Sequence, residues 1–264
     1  AIAQEGFDRQ RNCVAESLFS LANETMGVRG YAEEGTDAPS LIGSYLNGVY
    51  EWGSEPDGGT YKGVVRRTHY MVCAADWLYT RLSVNGQAIR PDACAAYQCR
   101  LDFRTGLLTR RYTMALSDGS HVQVCFERLV SMTRPCCAGQ RVTVCTDGDA
   151  ALSLTVGVDG SVPHAGTGAC QWRQTAHCTQ DVRSAISLMT ATTQQEITYL
   201  FSVEAPIAAT VREEERRSLR CMEGTLSAGQ PFVAEKRVMV LENAPWELSL
   251  LDSAPSFEEM LREN

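Results

Sequence analysis

Three carboxylates and one arginine crowd a short stretch of this 264-residue chain. Arg29 precedes the adjacent pair Glu33 and Glu34, and Glu51 follows in a segment that also carries Tyr45, Tyr50 and Trp52. Glycoside hydrolysis needs two carboxylates held across one bond, and a flat aromatic ring packs on the apolar face of a pyranose. Neighbouring residues on a strand point to opposite faces, so Glu33 and Glu34 make a poor catalytic pair. Ion pairing with Arg29 is the preferred reading over direct sugar contact, because charges taken out of water need partners. The Tyr50-Glu51-Trp52 cluster either reaches a neighbouring surface from a glycine-rich loop or packs within a hairpin.

Other chemistry is sparsely signalled. There is no Gly-x-Ser-x-Gly elbow and no phosphate-cradling Gly-x-x-x-x-Gly-Lys. The eleven cysteines are odd in number and form no compact disulfide framework. Cys94 and Cys99 are too widely spaced for a zinc knuckle, and Cys136 and Cys137 are adjacent. Cys170, His177 and Cys178 bring soft ligands near one another, yet no second Cys-x-x-Cys pair completes a tetrahedral site. The thiols read as small core hydrophobes in a reducing cytoplasm, with no metal expected.

Strands must position these residues. Leu152, Leu154, Val156 and Val158 alternate with small or polar neighbours, as do Val122, Val124 and Phe126, and residues 197–203 follow the same period of two. Asn85-Gly86, Asp118-Gly119, Asp147-Gly148 and Asp159-Gly160 are turn signals that favour antiparallel hairpins. The pattern predicts an all-β fold of two large antiparallel sheets packed face to face. Only the end of the chain reads as helix. Ser256 and Glu259 fit a capping box, starting a helix over 256–263.

The stretch Phe19-Ser-Leu-Ala-Asn-Glu-Thr-Met-Gly-Val-Arg-Gly30, then Glu33-Glu34-Gly35, then Gly43-Ser-Tyr-Leu-Asn-Gly-Val-Tyr-Glu51, resembles the amino-terminal domain of glycoside hydrolase family 65. That family comprises the maltose, trehalose and kojibiose phosphorylases and their hydrolase relatives. Ala22 and Glu24 depart from its pattern, which commonly has glycine there. Further matches follow in order: Asp76-Trp77-Leu78, Val84-Asn-Gly86, Leu101-Asp-Phe-Arg-Thr-Gly-Leu-Leu-Thr-Arg110 and Arg128-Leu-Val-Ser-Met132. Trp77, inside one of these motifs, is assigned to the core or to a domain seam. It completes a candidate rim or seam set of Arg29, Glu33, Glu34, Tyr50, Glu51, Trp52 and Trp77, with no residue assigned as catalytic.

The resemblance implies a large β-sandwich (supersandwich) of the galactose-mutarotase-like kind over residues 1–255. Residues 256–264 would begin a helical linker to an (α/α)6 barrel in the same polypeptide, or form a short terminal helix docked on the sandwich. In that family the catalytic acid and the phosphate-binding residues lie in the barrel, so both chain ends read as boundaries inside a longer protein. The implied function is a non-catalytic domain that packs on the barrel and supports its pocket or a homodimer. The parent enzyme would attack an α-linked disaccharide with water, or with inorganic phosphate as co-substrate. Two other readings stay open, a free-standing carbohydrate-binding module and a mutarotase-like sugar epimerase. Mutarotases on a similar sandwich use a histidine and a glutamate as acid and base, and this chain offers His69, His121, His164 and His177.

Composition sets outer bounds. At 44% hydrophobic content the chain can bury a large core as one domain. A formal net charge of -8 argues against nucleic acid as a partner. The doublets Arg66-Arg67 and Arg110-Arg111 read as solvated strand faces. No stretch approaches the roughly twenty apolar residues that span a bilayer, so a cytoplasmic location is expected and no membrane partner.

Overall fold

The computed structural model describes residues 1–54, 67–244 and 246–264. Its first strands are β1 (Ile2–Glu5), β2 (Leu21–Ala22), β3 (Met26–Val28), β4 (Ser44–Leu46), β5 (Tyr50–Ser54), β6 (Arg67–Met71), β7 (Thr80–Val84) and β8 (Gln87–Ala88). Longer ones follow: β9 (Ala95–Asp102), β10 (Leu107–Ala115), β11 (His121–Val130), β12 (Cys137–Thr146), β13 (Ala150–Asp159), β14 (Trp172–Gln180), β15 (Arg183–Thr190) and β16 (Glu196–Glu204). The last are β17 (Thr210–Glu214), β18 (Arg217–Leu226) and β19 (Phe232–Glu242). Nine of them form one antiparallel sheet in the order β1-β9-β10-β11-β12-β19-β16-β15-β14, and β17-β18-β13-β7-β8 form a second. The two sheets enclose one apolar core, as the alternating pattern predicted. Two small sheets, β2-β3-β4 and β5-β6, carry the glycine-rich stretch.

Two turn signals made hairpins as expected, Asn85-Gly86 between β7 and β8 and Asp118-Gly119 between β10 and β11. Asp147-Gly148 does something else. It carries the chain from β12 in the large sheet to β13 in the small one. A turn dipeptide specifies local reversal, whereas the sheet joined by the next strand is decided by long-range pairing.

The period of two over residues 197–203 predicts one buried and one exposed face, yet both faces of β16 are buried there. The reason lies at the end of the chain. A 3-10 helix (Leu248–Ser253) and α2 (Phe257–Glu263) lie on the outer face of the large sheet, where Leu248, Leu251, Phe257 and Met260 cover Leu129, Cys137, Leu200 and Met239. Gly139 permits this close approach. A Cβ there would stand 2.8 Å from both Met260 Cε and Phe257 Cδ2. The predicted capping box is present, with the Glu259 amide donating to Ser256 Oγ at 3.2 Å and Ser256 N donating to Glu259 Oε2 at 2.7 Å. A second helix, α1 (Asn12–Leu18), departs from the expectation of helix only at the end of the chain. It is seven residues long with no side-chain cap, so it carries no start signal to read.

Candidate functional site

Register places an unusual row of residues across the inner face of the large sheet. Arg128 on β11 stands opposite Gln140 on β12, which stands opposite Lys236 on β19. Arg110 on β10 lies two residues along from Leu108, the register partner of Arg128. All three cations are interior, each at 3% exposure or less. A buried charge is tolerated only if it is paired, and the partners of the two arginines come from the glycine-rich stretch. Residues 31–35 turn over this row, closed by the Gly35 amide donating to Ala32 O at 3.0 Å.

Glu33 and Glu34 both point down into it. Arg110 Nη1 donates to Glu34 Oε1 at 2.6 Å, while Nη2 donates to Glu34 Oε2 and to Glu33 Oε2. Arg128 Nη1 stands 3.4 Å from Glu33 Oε1, and its Nη2 donates to Tyr31 O at 3.0 Å. Tyr112 adds a donor to Glu34 Oε1 at 2.6 Å. Burial alone would raise the Glu33 carboxyl, but Arg128 and Arg110 outweigh it and hold it below the usual carboxylate range. Desolvation and the adjacent carboxylates push the Tyr31 and Tyr112 hydroxyls well above the ordinary phenol value.

This arrangement corrects two expectations. Glu33 and Glu34 sit in a turn and converge on one guanidinium, so the opposite-faces rule for strands does not apply. Arg29 is not their partner. Its Nη2 is 3.9 Å from Glu16 Oε2, and it donates to Leu41 O at 3.0 Å, Cys13 O at 3.1 Å and Ser17 Oγ at 2.9 Å. It thereby ties α1 to residues 39–43. Gly43 makes room for it, since a Cβ there would lie 2.8 Å from Arg29 Cδ. Arg110 also overturns the solvated-face reading of its doublet, while Arg111 is exposed as expected. Arg66 lies outside the described residues. Both Arg110 and Arg128 stand within motifs already quoted, and a strand position with apolar alternation on each side was the available signal of their burial.

A third carboxylate belongs to the same interior. Asp76 accepts from Tyr31 Oη at 2.5 Å and from Leu78 N at 2.9 Å. Burial raises it to about 6, against the Tyr31 hydrogen bond and the attraction of Lys236. Lys236 Nζ donates to Gly157 O at 2.9 Å. Desolvation drives its ammonium down to about 7. Glu33, Glu34 and Asp76 thus balance Arg110, Arg128 and Lys236, every one at 4% exposure or less. Such a cluster fixes a loop to a sheet; it offers no surface to a sugar.

The Tyr50-Glu51-Trp52 cluster divides by face. Glu51 points inward, accepting from the amides of Thr192 at 2.7 Å and Thr193 at 3.1 Å. Burial pushes Glu51 up, but these amide hydrogen bonds prevail and lower it. Tyr50 and Trp52 are partly exposed, and register pairs them with Met71 and His69 on β6. The Trp52 and His69 rings meet edge to face with centroids 3.9 Å apart. Trp77, by contrast, is a core residue at 1% exposure.

The histidines are dispersed. His177 Nε2 is 2.7 Å from Glu213 Oε2, in an open groove of about 410 Å³ between β14 and β17. Each partner is otherwise engaged, His177 Nδ1 with Gln174 Nε2 at 2.9 Å and Glu213 Oε1 with Thr179 Oγ1 at 2.8 Å. Among the described residues that line this groove, the acid and the base are bonded to each other and no Phe, Tyr or Trp ring joins them. His121 pairs with Asp147 at 3.1 Å, and the His164 and Tyr70 rings meet at a 45° tilt with centroids 4.8 Å apart. All eleven cysteines are free; Cys73, Cys99 and Cys137 are buried and the rest half-buried. Among the described residues no group of three or more His, Cys, Asp or Glu is placed to hold a metal, and no helix is long and apolar enough to cross a membrane.

A family model described as "Glycosyl hydrolase family 65, N-terminal domain" matches residues 2–264. Maltose phosphorylase of Bacillus subtilis (strain 168) is 30% identical over 159 residues, 59% of this chain and 21% of that protein. Alpha,alpha-trehalose phosphorylase of Thermoanaerobacter brockii is 30% identical over 140 residues, 50% of this chain and 18% of that protein. A solved structure described as "Putative kojibiose phosphorylase from human microbiome" superposes with a TM-score of 0.89 at 24% identity, covering 99% of this chain and 36% of that one. The fold is shared, and the chain spans about a fifth to a third of the length of these relatives.

Proposed function

Because the chain belongs to glycosyl hydrolase family 65 as its N-terminal domain, we propose that it is a non-catalytic sandwich that packs on an (α/α)6 barrel of the same polypeptide. The observation that carries this reading is the inward commitment of its carboxylates. Glu33 and Glu34 neutralise Arg110 and Arg128, and Glu51 is bound to the 192–193 amides, so the glycine-rich segment presents none of these three to a substrate.

The packing surface we assign is the outer side of α1 with residues 39–43. Val14 and Leu18, one helical turn apart, and Leu41 and Ile42 are large apolar residues left exposed there. Arg29 and Glu16 hold the helix and the loop together, so the four form one rigid feature. Buried between two domains they would contribute affinity; left in water they are a cost. Residues 256–264 would lead from the sandwich towards the barrel, and a homodimer contact is a further role for the same domain.

For the whole enzyme we propose phosphorolysis of an α-linked disaccharide with inorganic phosphate as co-substrate, in the cytoplasm, with hydrolysis as the alternative. Its support is that the named relatives are phosphorylases of maltose and trehalose. The exposed side of the β5-β6 hairpin, Tyr50 and Trp52, is the part of the sandwich we assign to the rim of the barrel's pocket.

Two measurements test this. The 264-residue chain should release neither glucose nor glucose phosphate from maltose, trehalose or kojibiose, with or without phosphate; robust turnover would overturn the non-catalytic reading. Leu18→Glu with Leu41→Glu should leave the stability of this chain within about 0.5 kcal/mol. In the polypeptide that includes the barrel, the same changes should abolish soluble, active enzyme, and full activity there would refute the assigned surface.

A further inference from the structure

Cys136 and Cys137 lie where the chain enters β12, with their sulfurs 3.8 Å apart. Their exposure differs. Both pack on the apolar cluster beneath residues 248–260, Cys136 at its margin and half-buried, Cys137 within it at 1% exposure. The hydrogen bond between the thiols, with a further contribution from the Arg134 guanidinium, favours the thiolate at Cys136 and lowers it to about 6; the same bond and burial keep Cys137 protonated. An accessible thiolate beside a protonated thiol is the arrangement of an attacking and a resolving cysteine.

We propose that Cys136 and Cys137 form a peroxide-sensitive thiol pair that closes reversibly to a vicinal disulfide. In the first step the Cys136 thiolate attacks the outer oxygen of a hydroperoxide; the sulfur is oxidised to sulfenic acid, the O–O bond breaks, and the alkoxide leaves with a proton as an alcohol, or as water from hydrogen peroxide. In the second step Cys137 sulfur displaces the sulfenic hydroxyl, forming the S–S bond and releasing water. The sulfurs must close from 3.8 Å to about 2.05 Å.

The backbone resists that closure. Cys137 N donates to Arg134 O at 2.7 Å, and Cys136 O accepts from Val240 N at 2.8 Å, which pins the peptide between the two cysteines. Adjacent Cα atoms are also only about 3.8 Å apart, shorter than the usual disulfide span of about 4.4–6.8 Å. A strained, accessible disulfide is readily reduced. Closing it also withdraws the Cys137 sulfur from the cluster that holds the 3-10 helix and α2 on the sheet.

The test is peptide mapping of the 264-residue chain after stoichiometric hydrogen peroxide at neutral pH, with remaining thiols alkylated. The peptide containing Cys136 and Cys137 should lose two hydrogens and escape alkylation, and mild dithiothreitol should restore both thiols. Before oxidation, Cys136 should alkylate about tenfold faster than Cys137. Cys137→Ser should stop the reaction at a dimedone-trappable sulfenic acid on residue 136. Should that variant misfold, Cys136→Ser in the more exposed position should leave Cys137 unoxidised under the same treatment. A wild-type peptide with both cysteines still alkylated, or with Cys136 carried to sulfinic acid without a crosslink, would overturn the proposal.

Discussion

Arg110 grips Glu34 with both ends of its guanidinium, Nη1 to Oε1 at 2.6 Å and Nη2 to Oε2, across 76 residues of sequence and at 4% side-chain exposure or less. The bidentate fit joins a turn in the glycine-rich stretch to the inner face of the large sheet. Removing one partner of a buried pair leaves the other charged and unsolvated, which is the costly case.

Arg110→Met should therefore destabilise the chain by about 3–5 kcal/mol, read as the shift in urea midpoint at constant slope. Arg29→Ala, which gives up hydrogen bonds nearer the surface, should lose only about 1–3 kcal/mol. Equal losses would show that the two arginines have been ranked wrongly.

Asp76 and Lys236 predict a dip in stability near neutrality. A carboxyl raised from 3.8 to about 6 on folding contributes stability that is fully present below its unfolded value and is lost as pH rises through about 6. An amine lowered from 10.5 to about 7 contributes stability that is present above its unfolded value and is lost as pH falls through about 7. The two contributions are both weakest between about 6 and 7. Asp76→Asn should flatten the acid limb of a pH series of denaturation midpoints and Lys236→Met the alkaline limb. Unchanged limbs in both variants would show that neither group titrates as described.

Glu51 anchors the β5-β6 hairpin to the turn after β15. Replacement by Gln keeps the shape but removes the charge that strengthens the Thr192 and Thr193 amide bonds. Amide exchange at those two residues should quicken by about tenfold, a change of about 1.4 kcal/mol, with the rest of the large sheet unaffected. Since the folded carboxyl is depressed, the wild-type anchor should also weaken as pH falls below the ordinary carboxylate range.

The C-terminal segment should be separable from the sandwich. Phe257→Ala empties a fully buried site over Gly139 and should cost about 3–5 kcal/mol, while Ser256→Ala removes the cap for about 0.5–2 kcal/mol. Hydrogen exchange should show protection lost from α2 and from the outer face of β11 and β12, with the inner core intact. Protection lost evenly across both sheets would mean that the segment is integral to the fold.

The sequence by itself determined the all-β architecture, the capping box at Ser256 and the family, because a period of two, a Ser-x-x-Glu spacing and ordered short motifs are local properties. It also marked Glu33, Glu34 and Glu51 as worth explaining. Only the tertiary structure decided what holds them. Whether Glu34 meets Arg29 or Arg110 depends on which strand passes beneath the turn, and that follows from sheet order and register over tens of residues. The same holds for Asp147-Gly148, whose turn is local while its change of sheet is not, and for β16, whose outer face is buried by residues 248–260. The adjacent carboxylates Glu33 and Glu34 are the buried fastening of a loop to a sheet, because in a low-dielectric interior each charge must find a counter-charge, or, as Glu51 does, a pair of amides, wherever the fold delivers it.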